Sequence, residues 1–311
     1  MHVVVNVTLP VFAVMLAGFV AGRTRLLGPA SSEALNGFVY YVALPPLLFL
    51  SMARAPLAES LRLDFLLAYG GGSLIVFLLS AAVGRLVYRA NLTGLALGGM
   101  AAVFANTGYL GIPLFIAAFG VERTGPAILA TIFGATVVMA AVVSLIELDR
   151  AAGKGAGGAA AAVARALAAN PLVMSALLGI LAAGIGVPLP RPVVVLCELL
   201  GAAAGPCALF AIGLFLASRP LALGTPEVAW LTVLKLLLHP VATWWLAFGV
   251  LDMEPFWAGA AVLLAALPTA ALVFVLAQKY GAYVERSSAA ILVTTVLSVL
   301  TISAILVVMG A

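Results

Sequence analysis

Polar positions along this chain are grouped rather than scattered. Asp, Glu, Lys and Arg are absent from residues 1–22, 34–53, 65–84, 90–121, 124–146, 166–190, 199–218, 255–278 and 287–311, and residues 228–251 carry only Lys235. Each of these ten stretches has 20 or more residues. About 20 helical residues cross the roughly 30 Å hydrocarbon core of a bilayer, so the pattern predicts an all-α integral membrane protein of ten transmembrane helices.

The basic residues between the stretches alternate sides. Arg23, Arg25, Arg85, Arg89, Arg150, Lys154, Arg165, Arg219, Lys279 and Arg286 fall on one side, and Arg54, Arg62, Arg123 and Arg191 on the other. The positive-inside rule places the richer set in the cytoplasm and both termini outside. Glu147 to Asn170, with Gly153, Gly155, Gly157 and Gly158 around Lys154, reads as a flexible cytoplasmic linker in the middle of the chain.

That central position suggests a repeat. Pro10 and Pro45 have the spacing of Pro171 and Pro206, and Phe49 falls on Phe210 at the same offset. Later, Val121-Glu122-Arg123-Thr124-Gly125-Pro126-Ala127-Ile128-Leu129 matches Val284-Glu285-Arg286-Ser287-Ser288-Ala289-Ala290-Ile291-Leu292. The expected organisation is a first five-helix repeat over 1–148, a linker over 149–169 and a second over 170–311. Five is odd, so the second half enters the membrane in the opposite sense, which makes an inverted repeat.

Composition narrows the function classes. The chain is 65% hydrophobic and 8% charged, against roughly 25% charged in soluble domains, which excludes an ordinary cytoplasmic enzyme. The net charge of +4 sits in short loops and marks topology, so nucleic acid is not an expected partner. Cys197 and Cys207 are ten residues apart on one predicted helix, roughly 15 Å along its axis, and cannot pair within it. Met1-His2-Val3 lacks a basic signal-peptide start, so the first helix is expected to be retained.

Candidate chemistry concentrates in two helices. The fourth contains Ala105-Asn106-Thr107-Gly108-Tyr109-Leu110-Gly111-Ile112-Pro113 and the ninth Ala265-Ala266-Leu267-Pro268-Thr269-Ala270. Two glycines and a proline in the first, and a proline in the second, free backbone groups at membrane depth. Such backbone is tolerated only where it faces protein or a wet cavity. Interrupted helices at matching positions of two halves point to a midplane binding site, and their half-helix amino termini favour an anion. Glu33, Asp64, Glu147, Glu198 and Glu227 all fall near predicted helix ends, which leaves no carboxylate for a buried sodium or proton dyad.

Lys235 and His239 share a face of the eighth helix. The expectation is that Lys235 snorkels to the cytoplasmic interface. His239 reads either as a neutral side chain bonded to a carbonyl or as a proton relay. Pro45, Pro46 and Pro206 read as packing kinks, and Thr294, Thr295, Ser298 and Thr301 as residues that join helices. No catalytic motif, metal cluster or nucleotide loop occurs, so no catalytic residue, metal or cofactor is expected and the protein is read as a non-enzyme.

The strings Asn106 to Pro113, Asn36-Gly37-Phe38-Val39-Tyr40-Tyr41-Val42-Ala43-Leu44-Pro45, and Leu267-Pro268-Thr269-Ala270 with Val275-Leu276-Ala277 and Tyr280-Gly281 resemble the auxin efflux carrier family. One departure is Leu272, where bacterial members often carry Asn. The resemblance implies broken, crossing helices four and nine. It also implies a scaffold of helices 1, 2, 6 and 7 beside a transport unit of helices 3–5 and 8–10. The short central loop fits a compact bacterial member in the inner membrane.

The implied function is a secondary carrier of an organic anion, such as indole-3-acetate or a small dicarboxylate, working by elevator-type alternating access. Its substrate-binding set would be Asn106, Thr107, Gly108, Tyr109, Gly111, Pro113, Pro268, Thr269 and Leu272, with His239 as the candidate relay. Expected partners are the anion, the lipid bilayer and, as an open alternative to a monomer, a second copy docked through the scaffold helices. The rival reading is a receptor or partner subunit that binds a small carboxylate in the same pocket without transporting it.

Overall fold

The computed structural model describes residues 2–54, 62–152, 155–186, 188–218 and 225–309. Among them all regular structure is helical, and Ala105 and Thr269 form an isolated antiparallel bridge. The first half runs through α1 (His2–Arg23), α2 (Pro29–Phe38), α3 (Leu44–Ala53), α4 (Leu63–Leu86), α5 (Leu92–Val103), α6 (Ile112–Phe119), α7 (Gly125–Phe133) and α8 (Met139–Arg150). After α9 (Gly155–Ala169) come α10 (Pro171–Ile185), α11 (Arg191–Ser218), α12 (Pro226–Val233) and α13 (His239–Trp244). The chain ends through α14 (Pro255–Ala265), α15 (Leu272–Tyr280) and α16 (Val284–Met309).

Proline shapes several of these joins. π-helical turns at Val39–Ala43, Thr107–Gly111 and Leu234–Leu238 each lead into a helix with proline in its first two positions, namely Pro45, Pro113 and Pro240. Proline has no N–H to close the preceding turn and its ring crowds it, so the helix widens there and continues. Other starts are capped by side chains. Asp149 accepts from the Thr93 amide (3.1 Å), the Thr93 hydroxyl (2.6 Å) and the Asn91 amide group (3.0 Å) at the head of α5, and Glu254 accepts from Phe256 N and Trp257 N at the head of α14. Both carboxylates sit where the helix dipole favours them.

Six helices, read through their π turns, are long and apolar enough to cross a membrane: Ala30–Ala53, Leu63–Leu86, Gly125–Arg150, Arg191–Ala217, Pro226–Val250 and Val284–Met309. The pair Ala160–Ala169 and Pro171–Ile185, bent by 70°, adds a seventh if it counts as one span. The ten stretches thus yield fewer continuous spans among the described residues. Residues 90–121 and 255–278 are each divided by a break into helices too short to cross alone. The Gly/Ala-rich connection, expected to be flexible, carries the 15-residue α9, because its alanines favour helix strongly enough to offset the glycines. Lys154, Arg219 and the loop over 55–61 lie outside the described residues.

Packing separates the helices into two sets. α1, α2–α3, α10 and α11 pack on one another, while α4, α5, α6, α7–α8, α12–α13, α14, α15 and α16 form the second set; the two meet in a shared core that includes Tyr40, Leu172 and Ala211 with Met100, Val142 and Phe274. In the first, α1 and α11 approach until their backbones touch. A Cβ on Gly18 would lie 2.2 Å from the Phe210 carbonyl oxygen, and one on Gly213 would lie 2.0 Å from that of Met15. Small residues are how membrane helices obtain close van der Waals contact where no hydrophobic force drives them together. The second set buries Phe65, Phe115 and Leu264 in a core of its own.

Gly213→Ala is expected to force α1 and α11 apart and lower stability by about 2 kcal/mol or more. Gly37→Ala, where nothing lies within 4 Å of the added carbon, is the control. Thermal unfolding of the two purified variants in one detergent checks this; equal melting temperatures would refute the close-contact account.

Candidate functional site

The two interrupted helices meet at their breaks. α5 leaves helical geometry at Phe104, whose ψ of 94° is extended, and helix resumes at Thr107 after Asn106. Across from it the chain is non-helical between Ala265 and Leu272. Asn106 N donates to Pro268 O (2.9 Å) and Ala270 N to Phe104 O (3.0 Å), which makes the Ala105–Thr269 bridge. Pro268 takes part through its carbonyl alone, as it has no N–H.

The other freed backbone groups find side chains. The Thr269 hydroxyl donates to Ala101 O (2.7 Å), and Thr294 Oγ1 accepts from Thr269 N (3.1 Å). Thr301 Oγ1 reaches Ala266 O at 3.4 Å, and Lys235 Nζ donates to Ala265 O at 2.6 Å. Asn106 O accepts from Leu110 N and Gly111 N at the start of the second half-helix. The break is thus built from two chains that satisfy one another, with α16 and the Lys235 turn closing what remains.

The named site residues divide by place. Asn106, Thr107, Gly111, Pro268 and Thr269 are buried together at the crossing, and Gly111 lies against Leu267, whose Cδ1 would be 2.9 Å from an added Cβ. Gly108 and Pro113 are exposed, and Leu272 is half-buried at the first position of α15. Tyr109 belongs to the π turn Thr107–Gly111; its side chain lies outside what is described.

Two cavities lie between the two helix sets, the first of them beside the crossing. The first, about 440 Å³, is lined by Leu47 of α3 and Arg54 just past its end, Glu198 and Gly201 of α11, and Ile112 and Thr131 of the second set. Thr131 connects it to the crossing, with its hydroxyl oxygen 2.8 Å from that of Thr107. Thr131 also lies 2.7 Å from Ala127 O, which can only accept, so Thr131 donates there and Thr107 donates to Thr131. Arg54 and Glu198 form an ion pair (2.8 Å) at the cavity wall.

The second cavity, about 620 Å³, is lined by Glu33, Phe215, Gln278, Tyr283 and Arg286. Glu33 and Arg54 mark opposite ends of the α2–α3 helix, as Phe215 and Glu198 do of α11, so the cavities open at opposite ends of the first set. Polar and ring contacts across the division occur on the second side. Asn36 Nδ2 donates to Val275 O (3.2 Å), Lys279 Nζ bonds Tyr41 OH, and the Phe215 and Phe274 rings meet edge to face at 5.3 Å. There too Arg286 pairs with Glu227 (2.7 Å), and the Tyr283 phenol, donating to Glu227 (2.6 Å), is pushed well above its usual range by burial and by that carboxylate.

The chain matches the family described as "Membrane transport protein" over residues 3–156 and 159–306. It belongs to that family. A protein named "Putative malonate transporter" from Rhizobium meliloti is 35% identical over 97% of this chain and 95% of its own length. Uncharacterized transporters from Methanocaldococcus jannaschii (24% identical, 96% of each chain) and Escherichia coli K12 (YfdV; 27% identical, 92% and 91%) are also similar. The auxin efflux carrier resemblance of the crossing motifs is therefore a family relationship.

For this transport protein one side-chain expectation is corrected. Lys235 does not snorkel: it is 0% exposed, and besides Ala265 O its amine meets His239 Nδ1 at 3.1 Å. It sits in the π turn ahead of Pro240, and that turn directs it inward to the carbonyl freed at the end of α14. His239 Nε2 in turn lies 3.1 Å from Ser73 Oγ. Thr131 and Ser73 had no signal in the sequence beyond being polar residues in apolar stretches. Lys235 had one, as the single charge within them.

Thr269→Val is expected to destabilise the protein by about 1–3 kcal/mol, because Ala101 O is left unpaired where water cannot reach, while Thr269→Ser retains the bond. Detergent melting curves of both variants test it, and a valine variant as stable as the serine one would contradict the assigned bond.

Proposed function

We propose that this membrane transport protein is a secondary carrier of a small organic anion, with a dicarboxylate such as malonate as the leading substrate and indole-3-acetate as a second. The observation that carries the reading is the buried crossing of two broken segments beside a cavity, with no carboxylate among the partners that satisfy it. Two half-helices, at Thr107 and at Leu272, begin there. Helix starts attract negative charge through their free amides and dipole, each worth about 0.3–2 kcal/mol. The name of the Rhizobium relative supports a dicarboxylate.

The architecture proposed for the full chain is ten spans in two inverted repeats. α5 with α6, and α14 with α15, each count as one broken span, beside α1, α2–α3, α4, α7–α8, α10, α11, α12–α13 and α16. The scaffold would be α1, α2–α3, α10 and α11, and the transport unit the remainder. The grouping of contacts and the two cavities at opposite ends of the division support elevator-type exchange, in which the crossing is offered to each side in turn. Both termini are assigned to the outside on the distribution of arginine and lysine. His239, joined to Ser73 and Lys235, retains its candidate role in proton movement.

Two measurements test this. Proteoliposomes containing the protein should accumulate labelled malonate saturably, with little uptake of malonamide and no difference between sodium and choline buffers. Equal transport of acid and amide would remove the anion site, strict sodium dependence would refute the ion claim, and saturable binding without flux would favour a receptor. Asn106→Leu should abolish binding while the protein stays monodisperse, and Pro268→Ala should slow flux by letting helix grow through the break. Wild-type rates in both variants would place the site elsewhere.

A further inference from the structure

The buried pair Lys235–His239 has a hydrogen-bond order that can be worked out from its acceptors. Ser73 Oγ lies 2.8 Å from Tyr69 O, and a carbonyl only accepts, so the serine hydroxyl donates to Tyr69. Ser73 then has only lone pairs for His239 Nε2 at 3.1 Å, so Nε2 carries the imidazole proton. Nδ1 is consequently the acceptor, and Lys235 Nζ donates to it (3.1 Å) as well as to Ala265 O (2.6 Å). Two hydrogens satisfy both contacts, and an uncharged amine has two. An ammonium has a third hydrogen, for which these partners provide no acceptor, and a charge that no carboxylate among them balances.

Among the described residues the surroundings offer no counter-charge. The Leu234–Leu238 turn and α13 pack against α4, α5, α12, α14 and α16. α5 and α14 contain no titratable side chain. α16 has Glu285 and Arg286 in its first turn and nothing titratable beyond. α12 has Glu227, engaged by Arg286 and Tyr283. α4 has Asp64 in its first turn, paired with Arg62, Arg85 in its last, and Tyr69, whose ring is 5.7 Å from that of His239. The groups that face Lys235 are therefore His239 and, through it, Tyr69, neither of which supplies a negative charge here.

We propose that Lys235 is the coupling group of the carrier: its amine takes one proton from the aqueous phase when an anion binds at the crossing, and returns it when the anion leaves. This rests on the anion-carrier reading above. The incoming carboxylate supplies the missing counter-charge, and the C-terminal carbonyl end of α14, to which Lys235 is bonded, is the helix end that favours a cation. Protein and solution exchange one proton and no covalent bond of the substrate changes. Because the bound state holds one more proton than the empty one, affinity strengthens as pH falls through the range where the substrate stays fully ionised.

The experiment is a malonate titration of the whole protein in nanodiscs in weak buffer between about pH 7.5 and 8.5, following proton uptake with an indicator dye. About one proton per bound malonate is expected, with affinity weakening up to about tenfold across that unit. Lys235→Gln, whose amide can still donate two hydrogens to Ala265 O and His239, should bind malonate with no uptake and no pH slope. His239→Gln, which removes the candidate relay but leaves an amide oxygen to accept from Lys235, should alter affinity or rate and still take up about one proton per bound malonate. Binding without uptake by the wild-type protein, or uptake lost with His239 but kept without Lys235, overturns the coupling role and leaves the carrier reading intact. Absence of malonate binding at every pH overturns that reading and this inference together. If Lys235→Gln does not fold, the wild-type stoichiometry and the His239 variant still decide.

Discussion

Backbone polar groups cannot be left bare at membrane depth, and this constraint organises the molecule. Each broken helix exposes amides and carbonyls that would cost several kcal/mol apiece in hydrocarbon. The chain meets that cost by placing its two breaks in register. The bridge between Ala105 and Thr269 and the flanking bonds Asn106 N to Pro268 O and Ala270 N to Phe104 O use groups from one break to satisfy the other. Side chains from α16 and the Lys235 turn supply the remaining donors and acceptors. Neither break is tenable alone, so the two halves of the second helix set are held together by the same bonds that shape the candidate site.

The contacts within and between the helix sets differ in kind. Within the first set, glycines at 18 and 213 bring backbones together so closely that a methyl group cannot intervene. Such an interface is rigid because nothing in it can rearrange. Across the division lie two cavities, a shared apolar core and a few polar and ring contacts, including an amide on a carbonyl, a lysine at a tyrosine and an aromatic pair. Those polar and ring contacts can be broken and remade at modest cost, since each is an ordinary hydrogen bond or ring contact worth about 0.5–1.5 kcal/mol. The elevator-type exchange proposed above would use this contrast.

The helical, membrane-spanning character was legible in the sequence because charge is excluded from long stretches for a solvation reason that every window reveals. The breaks were legible for a local reason too: Gly108, Gly111, Pro113 and Pro268 change the backbone where they stand. What escaped was long-range or directional. Residue 235 has a depth that can be counted along its helix, but whether a lysine there turns to the interface or inward depends on Ala265, thirty residues on, presenting a free carbonyl. Thr131 acquires meaning only because α7 folds back beside Thr107. The continuity of spans was likewise hidden: a charge-free stretch such as 90–121 looks the same whether it is one helix or two short ones.

In the proposed carrier, site chemistry and specificity would reside in different parts of the structure. Backbone amides at helix starts recognise any carboxylate and cannot tell one acid from another, because they contact only the shared group. Discrimination must come from the walls, where Leu47 and Ile112 present apolar surface and Arg54 is already committed to Glu198. A cation paired in this way adds little net field, so it favours ligands that can compete for one of its hydrogen bonds over those that merely carry charge. Leu272, half-buried at the first position of α15, would act in the same direction. An apolar side chain at the head of α15 leaves recognition there to the backbone, so a change at that position would alter which acids fit without altering the affinity for anions as a class.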